Sequence, residues 1–266
     1  MRLAALCWEL MTASIRGQMQ YRLNFLIDVA FGLVFSTVGF VFIWVVLGRF
    51  EAIGGWTLAE VALLYGMRLT SHGLWTVNFS RLYAIDRLVR DGEFDRMLIR
   101  PMPMLPQLMY GGFRMGAVGD LLGGVVILGV ALTQVSIDWS AGKLVLLACA
   151  LVGGAMLDGA FQLGPAAMTF RMLMSMPVRG LFDDIFGRFS GYPTSIFDRG
   201  ARFLLMWIVP VAFVAWVPAM VLLDRTGELP FPAWLAWCSP LAGVLCITVA
   251  AWLFVRESRN YQSSGS

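Results

Sequence analysis

Two apolar runs, at 57–79 and 111–135, bracket a charged segment that ends in prolines, SRLYAIDRLVRDGEFDRMLIRPMPMLP at 80–106. The hydrocarbon core of a bilayer is about 30 Å thick and takes about 20 helical residues to cross. Each run is long enough to span it, which leaves 80–106 as a loop outside the membrane. That segment is too long and too helical in pattern for a bare connector, and marks a place where something outside the membrane docks.

Composition agrees. Hydrophobic residues make up 59% of the 266-residue chain and charged residues 14%, against about 25% charged in soluble domains. A soluble fold of this length would have to expose large apolar patches. The four cysteines, Cys7, Cys149, Cys238 and Cys246, scatter through apolar runs and fit buried packing thiols better than a disulfide framework or a metal site. No G-x-x-x-x-G-K-[ST] phosphate loop, H-E-x-x-H zinc helix or G-x-S-x-G nucleophile elbow occurs. Gly116-Ala-Val-Gly-Asp120 approaches the motif of intramembrane aspartyl proteases, but Ala117 stands where that motif needs glycine. The chain offers no catalytic constellation, no metal ligand set and no cofactor site of its own.

The expected fold is an all-α polytopic membrane bundle forming one domain over 1–266. Six spans fall at about 23–47, 57–78, 112–133, 142–168, 203–223 and 234–255. Residues 1–20 place Leu3, Leu6, Cys7, Leu10, Met11 and Ile15 at helical spacing, with Glu9, Arg16 and Gln18 on other faces. This is an amphipathic helix lying in the membrane interface. Cytoplasmic loops keep positive charge. Sixteen arginines lie in the N-terminal segment, 80–114, 170–202 and the tail, against Arg49, Lys143 and Arg225 in the opposite loops. The bias puts both termini in the cytoplasm, with Trp44, Trp56, Trp139, Trp234 and Trp237 as an outer aromatic belt.

Residues 170–200 are compatible with two topologies. In one they form a cytoplasmic loop and 203–223 is the fifth span. In the other 172–189 is a polar span facing a protein interior, and 200–223, broken by Pro210 and Pro218, is an outer re-entrant hairpin. Hydropathy and positive charge favour the first.

Asp28, Arg68, His72, Asp120 and Asp158 fall inside apolar runs. A charge at the bilayer centre costs at least about 2.5 kcal/mol on insertion scales, so such groups face protein or water. Arg68, Asp120 and Asp158 sit at similar depth, which makes either carboxylate a partner for Arg68. A structural ion pair is one role for these groups and a substrate pathway is another.

The stretch Arg90-Asp91-Gly92-Glu93-Phe94-Asp95-Arg96-Met97-Leu98-Ile99-Arg100-Pro101 resembles the signature of ABC-2 exporter permeases: glycine, two residues, an acidic or polar residue, then L-L-x-x-P. Residues 189–197 (FSGYPTSIF), 208–213 (IVPVAF) with Pro218, and the tail at 261–266 (YQSSGS) are similar to one branch of that superfamily. The resemblance covers nearly the whole chain. It implies a six-span bacterial inner-membrane subunit that pairs with a second copy or a related permease and with two cytoplasmic ATPase subunits, which hold ATP and Mg. It also implies that Asp91, Gly92, Glu93, Phe94, Asp95, Arg96, Arg100 and Pro101 belong to a coupling helix, and that 191–193 lies on the outer side, in favour of the second topology. The substrate expected is amphipathic or lipophilic, since few ionisable residues line the spans. The competing function is a stand-alone ion-coupled transporter or channel, with Asp120, Asp158 and His72 as carriers of coupling. No nucleic-acid partner is expected, and membrane lipid is.

Overall fold

The computed structural model describes residues 2–20, 22–47, 52, 54–112, 116–172 and 174–261. Four helices are long and apolar enough to cross a bilayer among these residues: α2 (Arg22–Leu47), α7 (Gly116–Gln134), α8 (Ala141–Ala166) and α14 (Ser239–Ser258). A fifth, α3 (Leu58–Phe79), matches them in length, but Glu60, Arg68 and His72 make it more polar. It lies deep in the bundle, packed on α7 and α8. Small residues let the helices approach. A Cβ on Gly124 of α7 would come within 2.6 Å of the Thr70 backbone nitrogen on α3. Gly243 of α14 presses in the same way on the Gly153 carbonyl of α8. Helix α1 (Arg2–Met19) packs on α6 (Met104–Tyr110) and leaves Leu6 and Trp8 exposed, as suits an interfacial helix.

Long-range contacts define the two ends of the bundle. At the charged end, the turn after α3 leads into α4 (Ile85–Arg90), and Asp86 meets Thr169 and Ser175 just beyond α8. At the opposite end, Lys143 at the start of α8 donates to the Leu222 carbonyl and to Asp224. There Arg225 lies 4.8 Å over the Trp56 ring and pairs with Glu60, at the start of α3, at 3.4 Å.

These anchors decide the disputed region. Helix α10 (Met176–Phe189) begins against Asp86 at the charged end. The residues that follow it reach the other end, where Gly191 lies against Tyr65 and Ile196 against Gly54. The chain then enters the bundle through α11 (Arg199–Phe203) and a wide turn at Leu204–Ile208, bends by 70°, and returns through α12 (Trp216–Leu222) to Lys143. Both ends of this hairpin lie at the same end of the bundle. Every residue of 211–222 is buried in protein, so the apolarity of that stretch answers to the core, while Phe203, Leu204, Trp207 and Ile208 on the entering limb are exposed. The more polar 176–196 runs the depth of the bundle instead. Arg202, which donates to the Ser195 carbonyl, goes with the hairpin to the opposite end, so the arginine bias is weaker than the sum over 170–202 suggests.

Candidate functional site

The charged end carries a short protruding helix. Gly92 separates α4 from α5 (Glu93–Leu98) in a left-handed conformation (φ 67°), which a Cβ would strain. Glu93 and Asp95 occupy the first turn of α5 and Arg96 the last, matching its macrodipole. Phe94 and Met97 are buried. Phe94 packs at 5.0 Å on Phe170 and 4.8 Å on Tyr261. Gln107 Nε2, buried in α6, donates to the Met97 and Met102 carbonyls and ties α6 to the end of α5. Arg96, Leu98, Ile99 (83% exposed), Arg100 and Pro101 form the free tip, with Asp91 exposed beside it. Of the residues assigned to coupling, Phe94 thus seats the helix and does not face outward. Leu98 and Ile99, part of the signature stretch but not of the residues assigned to coupling, also belong to the exposed tip.

Asp86 joins this end to α10. Its carboxylate accepts from the Ser175 and Met176 backbone N–H groups at 3.0 and 2.9 Å and from the Thr169 and Ser175 hydroxyls. It thereby caps the N-terminus of α10 from another element, the role an N-cap side chain usually fills locally. The Arg179 guanidinium, 3% exposed, lies 3.5 Å from Asp86 and donates to the Leu82 carbonyl. Burial alone would push the Asp86 carboxyl up. The hydrogen bonds from Thr169 and Ser175 and the charge of Arg179 outweigh it and hold the group below its ordinary value. Nothing local in the sequence sets Asp86 apart from the other charges of 80–100.

Between α3, α7 and α10 lies a polar cavity of about 330 Å³ lined by Arg68, His72, Thr76, Tyr83, Asp120, Asp183 and Asp184. Three of the five ionisable residues inside apolar runs, Arg68, His72 and Asp120, therefore share one space. Asp158 stands behind it on α8. Its partner is His72, at 2.7 Å from Nδ1, and not Arg68. Arg68 instead reaches toward Gly187 of α10. One turn from Asp158, buried Gln162 donates to Asp183. Asp183 lies in the segment whose sequence is compatible with two topologies, and Gln162 is uncharged, so neither carries a local signal of this cavity. Asp28 is exposed on α2 and takes no part.

This is a charged cavity of ligand-binding size, attached through Asp86 and α4 to the exposed helix α5. Among the described residues, no group of His, Cys, Asp and Glu is arranged to hold a metal ion. No curated protein and no solved structure matches the chain. Residues 33–265 match the family described as ABC-2 family transporter protein. A helical membrane bundle matched over that length belongs to the ABC-2 family, and the chain is a membrane transport subunit of that kind.

Proposed function

We propose that this chain is the permease of an ATP-driven exporter of the bacterial inner membrane, with both termini cytoplasmic. Two ATPase subunits, which bind ATP and Mg, dock on the α5 tips of a pair of permeases, the second being another copy or a relative. The observation that carries this is the rigid seating of α5: Phe94, Met97 and Gln107 hold the helix, while Arg96, Ile99 and Arg100 are free. A pull on that tip reaches α10, and so the polar cavity, through Asp86. The export path runs along the cavity and takes an amphipathic or lipophilic molecule. Counting α3 and α10 with the four apolar helices gives six crossings.

Co-expression with the ATPase of the same transport system tests it. Ile99→Arg and Arg96→Glu, on the free tip, should insert normally yet lose ATPase co-purification, as should Glu93→Arg and Asp95→Arg. Wild-type capture by all four variants would remove α5 from the docking surface. The second function rests on the His72–Asp158 pair beside the cavity, which is where an ion-coupled carrier would hold its protons. Uptake into liposomes driven by an ion gradient, with no ATPase present, would establish that function instead.

A further inference from the structure

We infer that a second, apolar cavity, between α3, α6, α8 and α14, is a binding site for one acyl chain of a phospholipid from the leaflet at the charged end. The inference rests on the bundle lying in a membrane and not on the direction or energy source of transport.

The cavity measures about 390 Å³. Trp75 and Phe79 of α3, stacked at 3.9 Å, form one wall. Leu105 and Met109, one turn apart on α6, close the charged end, and Ile247 and Ala251 of α14 face them. Nearly all of the lining is apolar. Water needs two to four polar partners, and an apolar cavity of about 150 Å³ already stays dry and takes benzene. This space is more than twice that size, and only an apolar occupant can fill it.

Its position selects the occupant. Val152, 49% exposed, lines the cavity and belongs to the outer face of α8 together with Leu144 and Val145. Leu245, Val249 and Trp252 continue an exposed apolar surface along α14. The cavity is thus continuous with the surface that meets hydrocarbon. Its depth runs from Val152 and Ile247, midway along their helices, to Phe79, Leu105 and Ala251 near the charged end. A chain lying in it carries its headgroup to that end. There Arg256, exposed and 5.3 Å over Trp252, supplies a cation on the helix that also contributes Ala251. That is charge complementary to a phosphate. Gln107 fastens α6 to α5, which holds the Leu105–Met109 wall in place.

The test uses the full chain in nanodiscs of phosphatidylcholine doped with an analogue bearing a diazirine in one acyl chain. After irradiation, adducts are mapped by mass spectrometry. Adducts on Leu105, Met109, Met156 and Ile247 should exceed those on Phe31 and Val38, exposed on α2. Ala155→Phe and Ala251→Phe fill the space from different walls. Either should lower the cavity adducts severalfold and leave those on α2 unchanged, in protein that elutes as wild type. Cavity adducts no more frequent than those on α2, or undiminished in both filled variants, would overturn the site. So would ready disulfide formation between two copies carrying Val152→Cys in a cysteine-free background, which would make a second copy the occupant. The labelling needs no ATPase, so its result is independent of the docking experiment.

Discussion

Helix α10 and the hairpin that follows it invert the usual relation between polarity and depth. Helix α10 carries Arg179, Asp183, Asp184 and Arg188 within fourteen residues, and with the residues after it runs the depth of the bundle. Residues 211–222 carry no charge at all, yet they turn back to the end where they entered. The difference lies in what solvates each. Arg179 is held by Asp86 and the Leu82 carbonyl, and Asp183 by Gln162, while Phe182 and Phe186 pack on Phe161 at 5.0 and 5.4 Å. The returning limb of the hairpin, 211–222, is surrounded by protein, and the chain bends at the wide turn and Pro210, where the Val209 N–H still finds the Leu204 carbonyl. Irregular backbone at membrane depth is tolerated only where protein or water satisfies it.

The sharpest way to break this comparison is topological, and its outcome is all-or-none. In a cysteine-free background, Arg199→Cys should react with an impermeant maleimide from the same side as Gly227→Cys. Met172→Cys should react from the other side, with Arg96→Cys. Labelling of Arg199→Cys together with Met172→Cys would restore 203–223 as the fifth span.

The next expectation concerns the weight of a buried charge against a buried apolar side chain. Removing one partner of a buried ion pair costs about 3–5 kcal/mol, and Met→Ala in a core costs about 2–5 kcal/mol. Arg179→Leu on α10 and Met220→Ala on α12 should therefore lower the thermal stability of the solubilised protein comparably. Asp86→Leu should do at least as much, because it also strips acceptors from Ser175 and Met176. Adding Arg179→Leu should not rescue it. Asp86 has a depressed value in the folded state, so its charge stabilises fully above the ordinary carboxylate range and loses that effect as pH falls through the lower folded value. The stability gap between wild type and Asp86→Asn should stay constant from about pH 8 to pH 5 and close only below about pH 4. A gap that closed near neutrality would show that another group carries the effect.

The smallest effect separates the two kinds of charge on α10. Arg188 and Asp184 pair at 3.9 Å with both side chains about seven-tenths exposed. Exposed i,i+4 pairs contribute about 0.3–0.5 kcal/mol. Arg188→Gln should leave the melting temperature within about one degree of wild type. A loss as large as that of Arg179→Leu would mean that this face of α10 is covered in the assembled protein.

What was legible in the sequence follows the same physics. Helices α2, α7, α8 and α14 face lipid or pack with small residues, so a window of hydropathy finds them. The break between α4 and α5 was visible because Gly92 and the prolines after Arg100 admit few backbone conformations. Hydropathy measures apolarity without saying whether lipid or protein receives it, and 203–223 exploits that ambiguity. Counting residues from the ends gave Arg68 and Asp158 the same depth. Depth does not fix the helix face, and Asp158 turned out to face His72, which is 86 residues away in the chain. Asp86 and Gln162 became visible only once the elements carrying their partners had been placed.

The hairpin also bears on how the chain is made. Insertion machinery tests each segment against the bilayer as it emerges, and a run as apolar as 203–223 is accepted on such scales. The contacts that hold its returning limb come from α3 and α8, made earlier, the latter at Gly154 and Lys143. Its final place is therefore a matter of timing. The helices that receive it must already stand together when it arrives, or the nascent protein acquires a spurious crossing and everything after it is inverted. Helix α14 would then carry the tail and Tyr261 away from Phe94, leaving α5 without its seat.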